Sequence, residues 1–201
     1  MVHSAYMQQY TPRTFTFRAL DGISERQLDI HLKLYEGYVK HVNILNEKLV
    51  ELMQDSEKNA YALAEVKRRL GFEWNGMRMH EHYFAQWEGE HTPLSNELEG
   101  ALAVSWGGDI MNMVNEFKAV AMMRGIGWTL LSQDNVTKQF MIHWVSDHEL
   151  GQLNDTTTIM ALDMWEHAYM ADYTPAEKKQ YVDAWFKNLN GEVISKRFLG
   201  A

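Results

Sequence analysis

The apolar patterning predicts an α+β protein: an antiparallel helical hairpin in the first half, then a three-stranded antiparallel sheet set among helices. Three observations carry this expectation. Apolar residues recur at helical spacing through residues 24–53 and again over 60–88. Beyond residue 126 the period changes, and segments rich in apolar and β-favouring residues follow at 127–132, 138–145 and 156–163. Two further helical stretches close the chain. The expected division is a helical-hairpin domain over residues 1–90 and an α+β domain over 91–201.

Residues 1–22 lack a helical period and read as an extended lead-in. Ser24 and Gln27 have capping-box spacing and open the first helix. Its apolar stripe, Leu28, Leu32, Tyr35, Val39, Val42, Leu45 and Leu49, carries it to about Met53. The polar run at 55–59 is a turn, followed by helical segments over roughly 60–70 and 74–88. A second helical region covers roughly 94–123, broken near Gly107 and Gly108. Between the first two strands, residues 133–135 read as a hairpin turn. Pro175 stands where the last pair of helices begins, expected over 176–188 and 192–198.

The chain has 201 residues, 46% of them hydrophobic, enough to bury a substantial core. It has no cysteine, which excludes disulfides, thiolate metal sites and thiol catalysis. A transition metal would have to be held by His and carboxylates, a donor set suited to iron, manganese or zinc; nine His residues supply candidates. The formal net charge is −8, and the basic run at 67–69 is isolated, so nucleic-acid binding is not expected. No apolar run approaches the roughly 20 residues that cross a bilayer, and no basic-then-apolar leader opens the chain, so a cytoplasmic address is expected. An anionic substrate would need local positive charge in so acidic a protein.

Chemistry concentrates in the segment DMWEHAY, residues 163–169. Asp163 ends an apolar strand, where an ionisable group is costly unless paired or metal-bound. His167 follows four residues later, and the two can converge on one cation. Spacing alone favours the plainer reading, a capping Asp and a core His. His31 shares a helix face with Tyr35 and Tyr38, and His80 shares one with Phe84 and Trp87. Each is, taken singly, an ordinary core imidazole. Together the four would supply three imidazoles and a carboxylate, leaving an open coordination position. A two-His, one-carboxylate oxygenase site and a redox-inactive metal protein are the competing arrangements. Zinc hydrolysis is weaker, because residues 80–84, HEHYF, lack the second His of H-E-x-x-H.

DMWEHAY closely resembles the D-x-W-E-H-A-[YF] signature of the iron/manganese superoxide dismutases. GIGWTLL at 125–131 and NGEVISKRF at 190–198 resemble weaker family segments, and the likeness spans about residues 15–200. It implies that Asp163, His167 and His31 are ligands of one iron or manganese ion, with a lean towards iron or the use of both. H-x-x-Y-F at 80–84 selects His80 as the fourth ligand over His82, whose side chain points roughly 200° away on a helix. The implied activity converts superoxide to dioxygen and hydrogen peroxide while the ion cycles between +3 and +2.

Tyr38 resembles the family's gateway tyrosine, although it lies seven residues from His31 where eight is usual. The family's glutamine near the ion is absent from one customary position, where Gly76 stands. His148, in SDHELGQ at 146–152, resembles a replacement for it, with Gln152 as the alternative. The likeness places Trp165, Phe84 and Trp128 around the ion. It implies that Glu166 reaches His167 of a partner in a homodimer, or in a tetramer built from such dimers. A second link between subunits is expected to be lost, because Tyr35 and Met170 occupy its positions. Lys33 and Arg197 are candidate cations for guiding the anion inward.

Overall fold

The computed structural model describes Tyr6 and residues 8–200. Helix α1, Glu25–Leu52, and helix α2, Ala60–Ala85, pack side by side as an antiparallel pair. The buried face of α1 runs Gln27, His31, Tyr35, Val39, Val42, Asn46, Leu49, one residue every third or fourth position. Leu28, Leu32 and Leu45 of the expected stripe are only half-buried at its margin.

Ser24 caps α1 by accepting from Gln27 N at 3.1 Å. The reciprocal half of the expected capping box is missing, because the Gln27 side chain turns inward to the loop after Asp163. A complete capping box occurs instead between Thr174 and Glu177.

The segments expected over 60–70 and 74–88 form one helix that ends at Ala85. Gly71 does not interrupt it: one glycine costs about 1 kcal/mol against alanine, and tertiary packing exceeds that. Buried Glu73, paired with Arg69 at 2.7 Å, spans the expected break. At the other end, Gln86 is drawn out of helical register. Its amide donates to Ala161 O and accepts from Ala161 N, both at 2.8 Å, tying the hairpin to the sheet.

Helices α3, Asn96–Ser105, and α4, Ile110–Ala121, flank a break where Gly107 and Gly108 adopt φ of 73° and 93°. Strands β1, Gly127–Asp134, β2, Phe140–Ser146, and β3, Thr156–Asp163, form an antiparallel sheet in the order β2-β1-β3. Strand β1 takes in Gln133 and Asp134 of the expected turn, and the observed turn covers 135–137. The reversal instead follows Asp134, whose carboxylate accepts from Val136 N at 2.8 Å and from the Thr137 hydroxyl at 2.5 Å.

Helix α4 covers β1 and β2, while α2 and α6, Gly191–Leu199, cover β3. Strand β1 is consequently buried on both faces from Gly127 to Gln133. Helix α5, Lys178–Lys187, follows a 3-10 turn at Pro175–Glu177. Among the described residues no helix is long and apolar enough to cross a membrane. Register pairs Trp128 with Asp163, bringing the two against the hairpin's buried histidines.

Candidate metal centre

Four side chains from four elements meet in the interior. His31 comes from α1, His80 from α2, Asp163 from the end of β3, and His167 from the 3-10 turn Glu166–Ala168. One ligand atom from each lies within 4.8 Å of all the others. Asp163 Oδ2 stands 3.0 Å from His31 Nε2, 3.1 Å from His167 Nε2 and 3.4 Å from His80 Nε2. Its other oxygen accepts from Trp165 N at 2.8 Å, which fixes the carboxylate plane. Burial pushes the Asp163 carboxyl upward, but the charge and hydrogen bonds of His167 and His31 outweigh it and hold the group well below the usual range. Burial lowers the pKa of both His31 and His80.

The donor set fits a hard or borderline transition ion. His80 supplies the test of fit. Its Nδ1–H donates to Gly76 O at 2.6 Å, so the lone pair of Nε2 faces the cluster. That Nε2 is buried without a hydrogen-bond partner among the described residues, an arrangement that a coordinated cation satisfies.

Aromatic rings enclose the cluster. Phe84 and Tyr83 each pack 4.9 Å from the His31 ring, and Trp128 meets His80 edge-on at 5.1 Å. Trp165 stacks on His148 at 4.9 Å and on His167 at 5.5 Å. Trp128 Nε1–H donates to His148 Nδ1 at 2.9 Å. Burial lowers the His148 pKa to about 4, so the ring is neutral at pH 7 and carries its proton on Nε2. That Nε2–H lies 2.6 Å from Tyr38 Oη and donates to it, leaving the Tyr38 proton free to point elsewhere. Burial lifts the Tyr38 phenol well above its ordinary pKa, and the negative charge of Asp163 adds to the rise.

Gly76 has a second role here. A Cβ at this position would lie 2.5 Å from the Tyr38 ring, so no side-chain amide can project from it while Tyr38 stays in place.

A profile described as iron/manganese superoxide dismutases, C-terminal domain, matches residues 94–197. The chain belongs to the iron/manganese superoxide dismutase family. Relatives cover most of the chain. A superoxide dismutase of Aquifex pyrophilus, named as the Fe enzyme, is 31% identical over 89% of this chain and 85% of its own length. One of Cupriavidus metallidurans, also named Fe, is 32% identical over 90% and 91%. One of Haloferax volcanii, named Mn, is 31% identical over 93% of each chain.

Within this family member the expected quartet, His31, His80, Asp163 and His167, is brought together, and Tyr38, His148, Trp165, Phe84 and Trp128 surround it. Tyr38 reaches His148 across an uninterrupted α-helix, so seven-residue spacing needs no bulge. Gln152 is exposed, and its amide approaches only His148 O, at 3.4 Å. Glu166 is exposed, as is Met170. Tyr35 is committed within its own chain, accepting from Arg13 N at 2.8 Å and donating to Glu81 at 3.1 Å.

Arg197 corrects the expectation of a guiding cation. Its guanidinium donates to His82 O at 2.7 Å and Ile159 O at 3.0 Å, clasping α6 to α2 and β3. Lys33 is exposed, with no part in the cluster.

Two functional residues escaped the sequence reading. Arg69 stacks over Phe72 at 3.8 Å, and Phe72 packs 4.7 Å from His148. Gln27 donates to His167 O at 2.7 Å and accepts from Ala171 N at 2.8 Å, holding the turn that carries a candidate ligand. A polar residue one turn before His31 on the buried face was the available signal. Gln27→Ala would leave both backbone groups unsatisfied, and urea unfolding is expected to show a loss of about 2–4 kcal/mol. A loss under about 0.5 kcal/mol would contradict this positioning role.

Proposed function

We propose that the chain is a superoxide dismutase, with one iron or manganese ion held by His31, His80, Asp163 and His167. Two superoxide ions and two protons give one dioxygen and one hydrogen peroxide. The observation carrying this reading is the convergence of three imidazoles and one carboxylate in a chain whose relatives, along most of its length, are named superoxide dismutases. The ion, when bound, supplies the one-electron redox change between +3 and +2.

The chain's own residues supply enclosure and proton handling. Phe84, Trp128 and Trp165 keep bulk water and larger molecules from the cluster. Trp128 fixes the His148 tautomer, so His148 Nε2 holds a proton against Tyr38 Oη. Tyr38 can then present its own proton towards the cluster and be resupplied through His148. His148 thereby occupies the role the family gives to a glutamine. A change there should alter the tuning of the ion: His148→Gln is expected to shift the ratio of iron-supported to manganese-supported activity, and an unchanged ratio would contradict the role.

Arg69 is the cation we assign to guidance. It lies beside Phe72 at the edge of the His148–Tyr38 pair, with its side chain 49% exposed. Reversing this charge should slow capture of an anion. Arg69→Glu is expected to lower kcat/KM roughly three- to tenfold at low ionic strength, with the difference closing near 1 M salt, where the screening length is about 3 Å. Metal content should not change. A salt-independent loss would indicate a structural effect instead.

The same reading takes residues 1–90 and 91–201 as the two domains, a homodimer in which Glu166 bonds the partner's copy of His167, and a cytoplasmic location. Sedimentation showing only monomer at micromolar concentration would remove the Glu166 role, and cell fractionation tests the location. Metal analysis tests the reading as a whole. One iron or manganese per chain, with a spectrum that responds to reductant, is expected; zinc with no redox response would contradict it.

A further inference from the structure

A second feature lies away from the metal centre. A cavity of about 370 Å³ opens between the C-terminal end of α2, the lead-in near Arg13, and α6. Its walls include four cations, Arg13, Arg78, Lys196 and Arg197, against two carboxylates, Glu81 and Glu88. Glu192, just outside the lining, pairs with Lys196, so one positive charge is left over, in a protein whose net charge is −8. His82, the histidine not brought to the metal cluster, also lines it.

The charges are unevenly satisfied. Arg78 pairs with Glu81 at 2.6 Å and Arg13 pairs with Glu88. Lys196 pairs with Glu192 at 2.8 Å, outside the cavity lining. Arg197 makes hydrogen bonds only to neutral oxygens, those of His82, Ile159 and Gln86, and has no carboxylate partner among the described residues. A buried guanidinium is ordinarily paired with an anion. Burial, and after it the Arg13 charge, lower Arg197 to about 10. His82 faces the cavity from α2, and neither of its ring nitrogens has a partner among the described residues. Arg13, Arg78 and Lys196 keep 51%, 42% and 59% of their side chains exposed, so the cavity is open to solute.

We infer that this cavity is a binding site for a phosphate group, free or as a monoester, seated between Arg197, Arg78 and Lys196 beside the unpartnered ring of His82. Arg197 supplies the unpaired positive charge, and the exposed pairs of Arg78 and Lys196 are weak enough to be shared with phosphate oxygens. Guanidinium forks match the geometry of phosphate oxygens. The volume leaves room for a small organic moiety beyond the phosphate.

The test is calorimetric titration of the metal-loaded protein with inorganic phosphate, then with glycerol phosphate, each against chloride at equal ionic strength. One saturable site per chain is expected. Tighter binding of the ester would identify a phosphomonoester as the ligand, and equal or weaker binding would identify free phosphate. Lys196→Glu, a surface change, should weaken phosphate at least about tenfold while leaving dismutase activity intact. Arg78→Gln should weaken it similarly. No saturable binding above the chloride control would overturn the proposal. So would equal binding by the wild type and both variants, which would mean an adventitious ion only, or phosphate at the metal centre.

Discussion

His80→Ala is expected to abolish metal binding, whereas His82→Ala is expected to leave it intact. The two histidines are two residues apart on one helix, so sequence position barely separates them. Their surroundings differ. His80 Nδ1–H is spent on Gly76 O, and its Nε2 lies 3.4 Å from Asp163 Oδ2 with no other partner. His82 instead lines the cationic cavity beside Arg197. Loss of a group that merely orients a ligand costs 10- to 100-fold in metal affinity by general experience. Loss of a ligand should therefore cost more than about a hundredfold. Bound metal after dialysis should fall from one ion per chain to a small fraction, and superoxide decay should fall to background. His82→Ala should retain both. The opposite pattern would overturn the ligand assignment. A His80→Gln variant guards against a simple folding failure: it fills the space and should fold, yet bind metal poorly.

Acid should unfold the metal-free protein over an unusually mild range. Burial lowers the pKa of His31 and His80, that of His148 to about 4 and that of His82 to about 3. In the unfolded chain each returns to about 6.5. Below that pH the unfolded chain takes up protons that the folded chain refuses. Stability therefore falls as pH falls, by up to about 1.4 kcal/mol per pH unit for each group. His148 and His82 together give a loss of about 2 kcal/mol between pH 6.5 and 5.5, and His31 and His80 add to it in the same direction. Asp163 acts in the same direction at lower pH: its depressed pKa stabilises the fold above about pH 4, and that contribution fades below it. It does not offset the histidines in this window. A bound ion requires neutral imidazoles, so the loaded protein should resist acid until the ion is released. Thermal midpoints of the apo and manganese-loaded protein at pH 7.5, 6.5 and 5.5 check this. A flat apo profile would contradict it.

The parts of this molecule that were legible in the sequence are those set by local pattern or by a specific motif. Helix α1 followed from its three-and-four spacing, and β3 from its apolar run ending at Asp163. The quartet His31, His80, Asp163 and His167 followed from the D-x-W-E-H-A segment and the order of the other elements. What escaped depended on contacts far apart in the chain. Capping-box spacing makes Gln27 a local residue, and only the loop returning from β3, 140 positions on, gives it another use. The gap expected between 70 and 74 is absent: local cost is visible in a sequence and tertiary packing is not. Arg69 stood in a basic run that reads as solvated, and its stacking on Phe72 depends on the side-chain path. Arg197 looked like a free surface cation because its burial requires α6 to lie against both α2 and β3.

The most direct test is superoxide decay, followed by stopped flow, with apo protein and with protein reloaded separately with iron and manganese. Catalysis by one or both loaded forms, absent from the apo protein and from His80→Gln, is the predicted result. A chain that binds iron or manganese stoichiometrically yet leaves superoxide decay at the uncatalysed rate would contradict the account.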